Sequence, residues 1–163
     1  DFSAYFKSSQ DLKQEFYQRY GGKDIAQLLF SKSIIIFSPS SSSSSEGGDN
    51  NLYGLHHTAK RIMYAVAKKQ PFILAFGGYS ITVGRGNYFN QSYPLVLETI
   101  LKDSVKLLNI EHFEVRNAAI GGIPSFPYGW CLKNFLGEDS DVVSWDFSMN
   151  EGDSAEGLES YLR

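Results

Sequence analysis

Cysteine is almost missing from this sequence. Cys131 stands alone in 163 residues, so an internal disulfide and a thiolate-rich metal cluster are both excluded. No apolar run reaches the roughly 18 residues a membrane helix needs, so no span is expected in this stretch. Charge of one sign is lacking too. The net charge is −3, which gives no signal for a nucleic-acid partner. The glycine motifs that cradle phosphates are absent: there is no Gly-x-x-x-x-Gly-Lys and no Gly-x-Gly-x-x-Gly. Gly84-Arg85-Gly86 leads only into Asn87-Tyr88-Phe89. The Gly-x-Ser-x-Gly elbow fails as well, because Thr82 occupies the place of its second glycine. Histidine is scarce, with His56, His57 and His112 the only three. The adjacent pair His56-His57 cannot face one way on a helix and has no third ligand at zinc spacing, so it reads as a surface pair. No cofactor is implied. What remains is an ordinary globular composition, 42% hydrophobic and 20% charged, long enough for one domain with a core.

Residues 1–37 are amphipathic and predict two short helices, DLKQEFYQRY and DIAQLLF, parted by Gly21-Gly22. Ile34–Phe37 is β-branched and reads as a short strand or an extended segment. Ser38–Asn51, SPSSSSSSEGGDNN, is a solvated flexible linker by composition, with phosphorylation or O-glycosylation as the less favoured use. The organisation expected is therefore a helical extension over 1–37, a linker over 38–51 and a main domain over 52–163. In that domain Tyr53–Lys69 predicts a helix, with Ala59, Ile62, Met63, Val66 and Ala67 as its apolar stripe. A second helix begins near Pro94, a good first-turn residue, and buries Leu95, Leu97, Ile100, Leu101, Val105 and Leu108. Cys131–Leu136 is a candidate short helix, and another starts at Ser154.

Between these helices lie three strands, each ending on residues suited to a site. Phe72–Phe76 is a buried run that breaks on Gly77-Gly78 and leads to Ser80. His112–Ile120 alternates apolar and polar residues and ends in Gly121-Gly122. Asp141–Met149 ends in Asn150-Glu151. Strands alternating with helices imply βαβ units and a parallel sheet. Sites in such sheets form past the carboxyl ends of the strands, where all three endings would meet. Ser80 could be a mere capping serine, but that convergence makes it a candidate nucleophile.

These pieces, in this order, resemble the SGNH hydrolases, the GDSL-type esterases and lipases. The likeness runs from about Pro71 to Arg163. The first block is Gly78-Tyr79-Ser80-Ile81-Thr82-Val83-Gly84, the second Asn117-Ala118-Ala119-Ile120-Gly121-Gly122, the third Asn150-Glu151. The resemblance implies a three-layer α/β/α fold with a flavodoxin-like parallel sheet, incomplete at its carboxyl end. It also implies an ester hydrolase with Ser80 as nucleophile. The Ser80 N–H, the Gly122 N–H and the Asn150 amide would form the oxyanion hole. The substrate would be a small-molecule, carbohydrate or lipid ester.

Two departures stand out. Tyr79 occupies the place of the family aspartate, and no histidine follows Asn150 to serve as the base. The expectation is that the histidine block lies beyond Arg163 and that these 163 residues alone are inactive. The competing reading is an inactive binding module of the same fold for glycans or acylated polymers. The loops 85–92 and 123–130, with Arg85 and Phe126, are expected to shape the substrate pocket. Asn90-Gln91-Ser92 is a formal glycosylation sequon and, with the serine run, a weak pointer to the secretory pathway.

Overall fold

The computed structural model describes residues 2–26, 28 and 53–151. The expected segment Ile34–Phe37, the linker Ser38–Asn51 and the helix from Ser154 lie outside the described residues. Helix α1 spans Phe2–Arg19, starting earlier than its apolar spacing suggests. It ends where Gly21 and Gly22 take positive φ and the Gly22 N–H donates to the Tyr17 carbonyl at 2.7 Å. Such left-handed C-caps favour glycine, which has no β-carbon to clash. A helical turn follows over 23–26.

Helix α2, Tyr53–Lys68, leads into strand β1, Phe72–Gly78. After β1 come a single turn α3, Ser80–Val83, a 3₁₀ turn Phe89–Gln91 and helix α4, Tyr93–Lys106. Strand β2 is Phe113–Asn117, followed by the short helices α5, Ser125–Gly129, and α6, Leu132–Leu136, and by strand β3, Val142–Asp146. The three strands form one parallel sheet in the order β2-β1-β3. The register sets Phe72 against Phe113 and Phe76 against Asn117 on one side of β1. On the other side it sets Leu74 against Val142 and Gly78 against Asp146.

Strand alternation assigns the two faces. One face presents Phe72, Leu74, Phe76, Phe113, Val115 and Val142. They pack under Ile62, Ala65 and Val66 of α2, Leu101 and Val105 of α4, and Tyr5 of α1. Ala75 and Trp145 face the other way, where Tyr128 of α5, Leu132 and Leu136 of α6, and Phe147 close a second core. The result is an α/β fold with helices on both faces of a parallel sheet. The β1–β2 crossover uses α4 on the first face, and the β2–β3 crossover uses α5 and α6 on the second. Crossovers of one hand that travel in opposite directions must lie on opposite faces. The order 2-1-3 thus puts the topological switch between β1 and β3, the usual place for a ligand crevice.

Three details differ from the sequence reading. The stripe on α2 divides: Ile62 and Val66 reach the core, whereas Met63 is 70% exposed. On α4, Ile100 turns outward, because a narrow sheet covers only the Leu101–Val105 side of the helix. Within 123–130, expected as a loop, α5 buries Tyr128 between Phe135 and Phe147, at ring separations of 4.6 and 5.2 Å. The Tyr128 hydroxyl donates to the Ala118 carbonyl at 2.8 Å, which satisfies its one polar atom.

Candidate active site

Beyond Gly78 the chain turns sharply, and Ser80 becomes the first residue of α3. Tyr79 is buried, and its N–H donates to the Asp146 carbonyl at 3.1 Å, extending the β1–β3 ladder to the edge of the sheet. Ser80 itself is half-buried. Its carbonyl accepts from the Arg85 N–H at 2.9 Å, which closes the turn below the hydroxyl.

Two polar clamps hold this turn from opposite sides. From β3, the Asp146 carboxylate accepts from the Thr82 hydroxyl at 2.6 Å and from the Tyr93 hydroxyl at 3.0 Å. Thr82 is fully buried, and the bond is charge-assisted, the stronger kind. Burial, reinforced by the adjacent Asp146 carboxylate, pushes the Tyr93 phenol well above its ordinary range, so it stays a proton donor. From β2, the Asn117 amide donates to the Thr82 carbonyl at 2.7 Å and to the Ser92 hydroxyl at 3.0 Å. Its oxygen accepts from the Ala119 N–H at 3.2 Å, so one asparagine ties α3, the start of α4 and the turn after β2 together. Thr82 crosses directly over Gly78: a β-carbon there would lie 2.7 Å from the Thr82 β-carbon and 2.9 Å from its methyl. Glycine at 78 is thus required by Thr82.

The loop after β2 comes next to Ser80. A β-carbon on Gly121 would sit 3.6 Å from the Ser80 β-carbon, so Gly121 lies beside the serine with room for a methyl group between them. The loop is anchored to the first strand by the Ile120 N–H, which donates to the Gly78 carbonyl at 2.9 Å. Gly122 is one residue further on, with φ +85° and open space where a side chain would stand. Backbone conformation, not crowding, calls for glycine at 122. The loop after β3 closes the group. The Asn150 amide donates to the Ile123 carbonyl at 3.1 Å, and the Glu151 carboxylate accepts from the Ser125 N–H at 2.5 Å.

Ser80, Gly122 and Asn150 therefore stand on three adjoining loops at one edge of the sheet. Ser80 lies beside Gly121, and Asn150 bonds the residue after the glycine pair. The Asn150 amide bond to Ile123 uses one of its two N–H donors, and among the described residues the second has no acceptor. Among the described residues no side chain accepts a hydrogen bond from the Ser80 hydroxyl. His112 precedes β2 and shares a bond with Glu114, and its carbonyl accepts from Phe72 at the start of β1. It sits at the far edge of the sheet, about 20 Å from the carboxyl end of a seven-residue strand. His56 and His57 are exposed on α2. Among the described residues no group of three His, Cys, Asp or Glu side chains is placed to hold a metal ion. No described helix is long and apolar enough to cross a membrane.

Of the residues expected to shape a pocket, Arg85 is exposed, and so is Phe126, which stacks edge-to-face on exposed Trp130 at 4.9 Å. Asp146 and Asn117 were not singled out as site residues from the sequence. The available signal was a polar side chain at the last position of the strand in each case. Comparison with protein-family models, curated protein sequences and solved structures finds no match for this chain.

Proposed function

We propose that this domain belongs to a serine ester hydrolase with Ser80 as the nucleophile. The observation that carries the reading is the Ser80 turn itself. It stands at the β1–β3 switch, clamped by Asp146 and Asn117, beside Gly121 of a loop that Asn150 bonds at Ile123. In this reading the Ser80 Oγ attacks the ester carbonyl carbon as its proton passes to a base. The carbonyl oxygen becomes an oxyanion held by the Ser80 N–H, the Gly122 N–H and the spare Asn150 N–H. Collapse expels the alcohol, and water then attacks the acyl-serine and releases the acid. Prepositioned donors of this kind are each worth about 100- to 1,000-fold in rate.

The base is the missing member. The resemblance assigns it to a histidine after Asn150, and no such histidine occurs in this sequence. A positioned base contributes about 100- to 10,000-fold, so these residues alone should hydrolyse esters at background rate. Dissolved imidazole can stand in for the missing group. The test is acylation by an aryl acetate with and without imidazole, mapped by mass spectrometry in the parent chain and in Ser80→Ala. Imidazole-dependent acetylation confined to Ser80 is expected. Acetylation spread over surface residues, unchanged by Ser80→Ala, would refute the reading. It would leave the second one, a non-catalytic binding module, which the exposed Phe126–Trp130 pair favours.

A further inference from the structure

The α3 turn is too short to hold itself. It has four residues, and a single helical turn is unfavourable in isolation. Its terminal N–H and C=O groups also lack partners within it. The Ser80 N–H, at the first position, is one of these. The Thr82 carbonyl is another, and the Asn117 amide donates to it at 2.7 Å.

Asn117 is the last residue of β2 and stands opposite Phe76 of β1. From that fixed place the two ends of its amide reach different parts of the site. The nitrogen holds the α3 turn and the Ser92 hydroxyl. The oxygen accepts from the Ala119 N–H at 3.2 Å, which sets the first bend of the loop that carries Gly121-Gly122. That N–H also fixes which end of the amide is the oxygen. Asp146 grips Thr82 and Tyr93 but, among the described residues, nothing in the glycine loop. An oxyanion must lie within reach of the Ser80 N–H and the Gly122 N–H together, and these belong to segments far apart in the chain. On the reading of Ser80 as nucleophile, we infer that Asn117 is a positioning residue that sets these two N–H groups at the spacing one oxyanion requires. It acts through the backbone and does not itself touch the reacting atoms. A misplacement of about 1 Å at a reacting centre costs about 100-fold in rate.

The test follows imidazole-dependent acylation of Ser80 in the full chain by 4-nitrophenyl acetate and by its thionoester. Donors spaced for oxygen hold the larger sulfur anion poorly, so the parent should prefer the ester, relative to imidazole alone. Asn117→Ala should slow acetylation about 10- to 100-fold and erase most of that preference. Asn117→Leu keeps the volume and serves where the alanine variant does not fold. Ser104→Ala loses the 2.7 Å bond to Ser8 near the other end of α4, so it is destabilised away from the site and should keep both rate and preference. A purely structural role would slow both esters alike, so an unchanged preference in a folded Asn117 variant overturns the inference alone. A parent not acylated at Ser80 overturns the hydrolase reading and this inference with it. Loss of the fold in both Asn117 variants, read by circular dichroism, makes the residue a folding element and also overturns the inference.

Discussion

Adding one methyl group at Gly78 tests the reasoning about the Ser80 turn most directly. The new β-carbon would meet three atoms of Thr82, with the β-carbon at 2.7 Å and the methyl at 2.9 Å. Thr82 cannot swing aside, because it is fully buried and its hydroxyl is bonded to Asp146 at 2.6 Å. Overpacking of this kind costs about 1–3 kcal/mol. For a chain of this size that is a fall of about 2–4 °C in thermal midpoint per kcal/mol. Thr82→Ala alone loses a hydrogen bond to a charged group, about 1.5–3 kcal/mol. The informative variants are the pairs. Thr82→Ala removes the hydroxyl and the methyl but keeps the β-carbon at 2.7 Å, so Gly78→Ala/Thr82→Ala should be only partly relieved. Thr82→Gly removes all three contacts. In that background Gly78→Ala should cost almost nothing, a coupling of about 1–3 kcal/mol. Urea titrations of the six proteins supply the numbers. If Gly78→Ala costs the same in the Thr82→Gly background as in the parent, the steric argument is wrong.

Ser80→Ala should leave the urea midpoint within about 0.5 kcal/mol of the parent, since no described side chain bonds to that hydroxyl. Gly122→Ala should destabilise by about 1–2 kcal/mol, because alanine must adopt φ near +85°, and a circular-dichroism melt reads this out. Acid sensitivity should track Arg116. Its guanidinium bonds Asp139 and Glu114 and holds the Asp139 carboxyl down at about 2, with Glu114 also below its usual range. Both groups are more acidic folded than unfolded. Their stabilisation is therefore complete above the ordinary carboxylate range near about 4 and is lost as pH falls toward 2. Arg116→Gln should flatten that acid limb of a stability-versus-pH curve, and an unchanged limb would refute the assignment.

Much of the fold was legible from local pattern. Apolar runs ending on Gly77-Gly78 and on Gly121-Gly122 marked strand ends, and helix-period residues between them implied parallel crossovers. Each such signal sits within about ten residues, where side-chain period and backbone freedom report directly on geometry. That Ser80, Gly121-Gly122 and Asn150 come to one edge follows from the same logic, since residues after parallel strands share one edge.

What local pattern could not supply was pairing across the chain. The Thr82–Asp146 bond joins residues 64 apart, and nothing near either residue announces it. The order β2-β1-β3, which makes the β1–β3 gap the switch point, depends on which edge of β1 each later strand joins. The glycine whose missing side chain would face Ser80 is Gly121, while Gly122 is set by its own φ. Met63 shares its helical stripe with core residues, yet it faces open space, because α1 stands beside α2 without closing the gap. Periodicity states which residues share a face, but only tertiary packing decides what, if anything, that face meets.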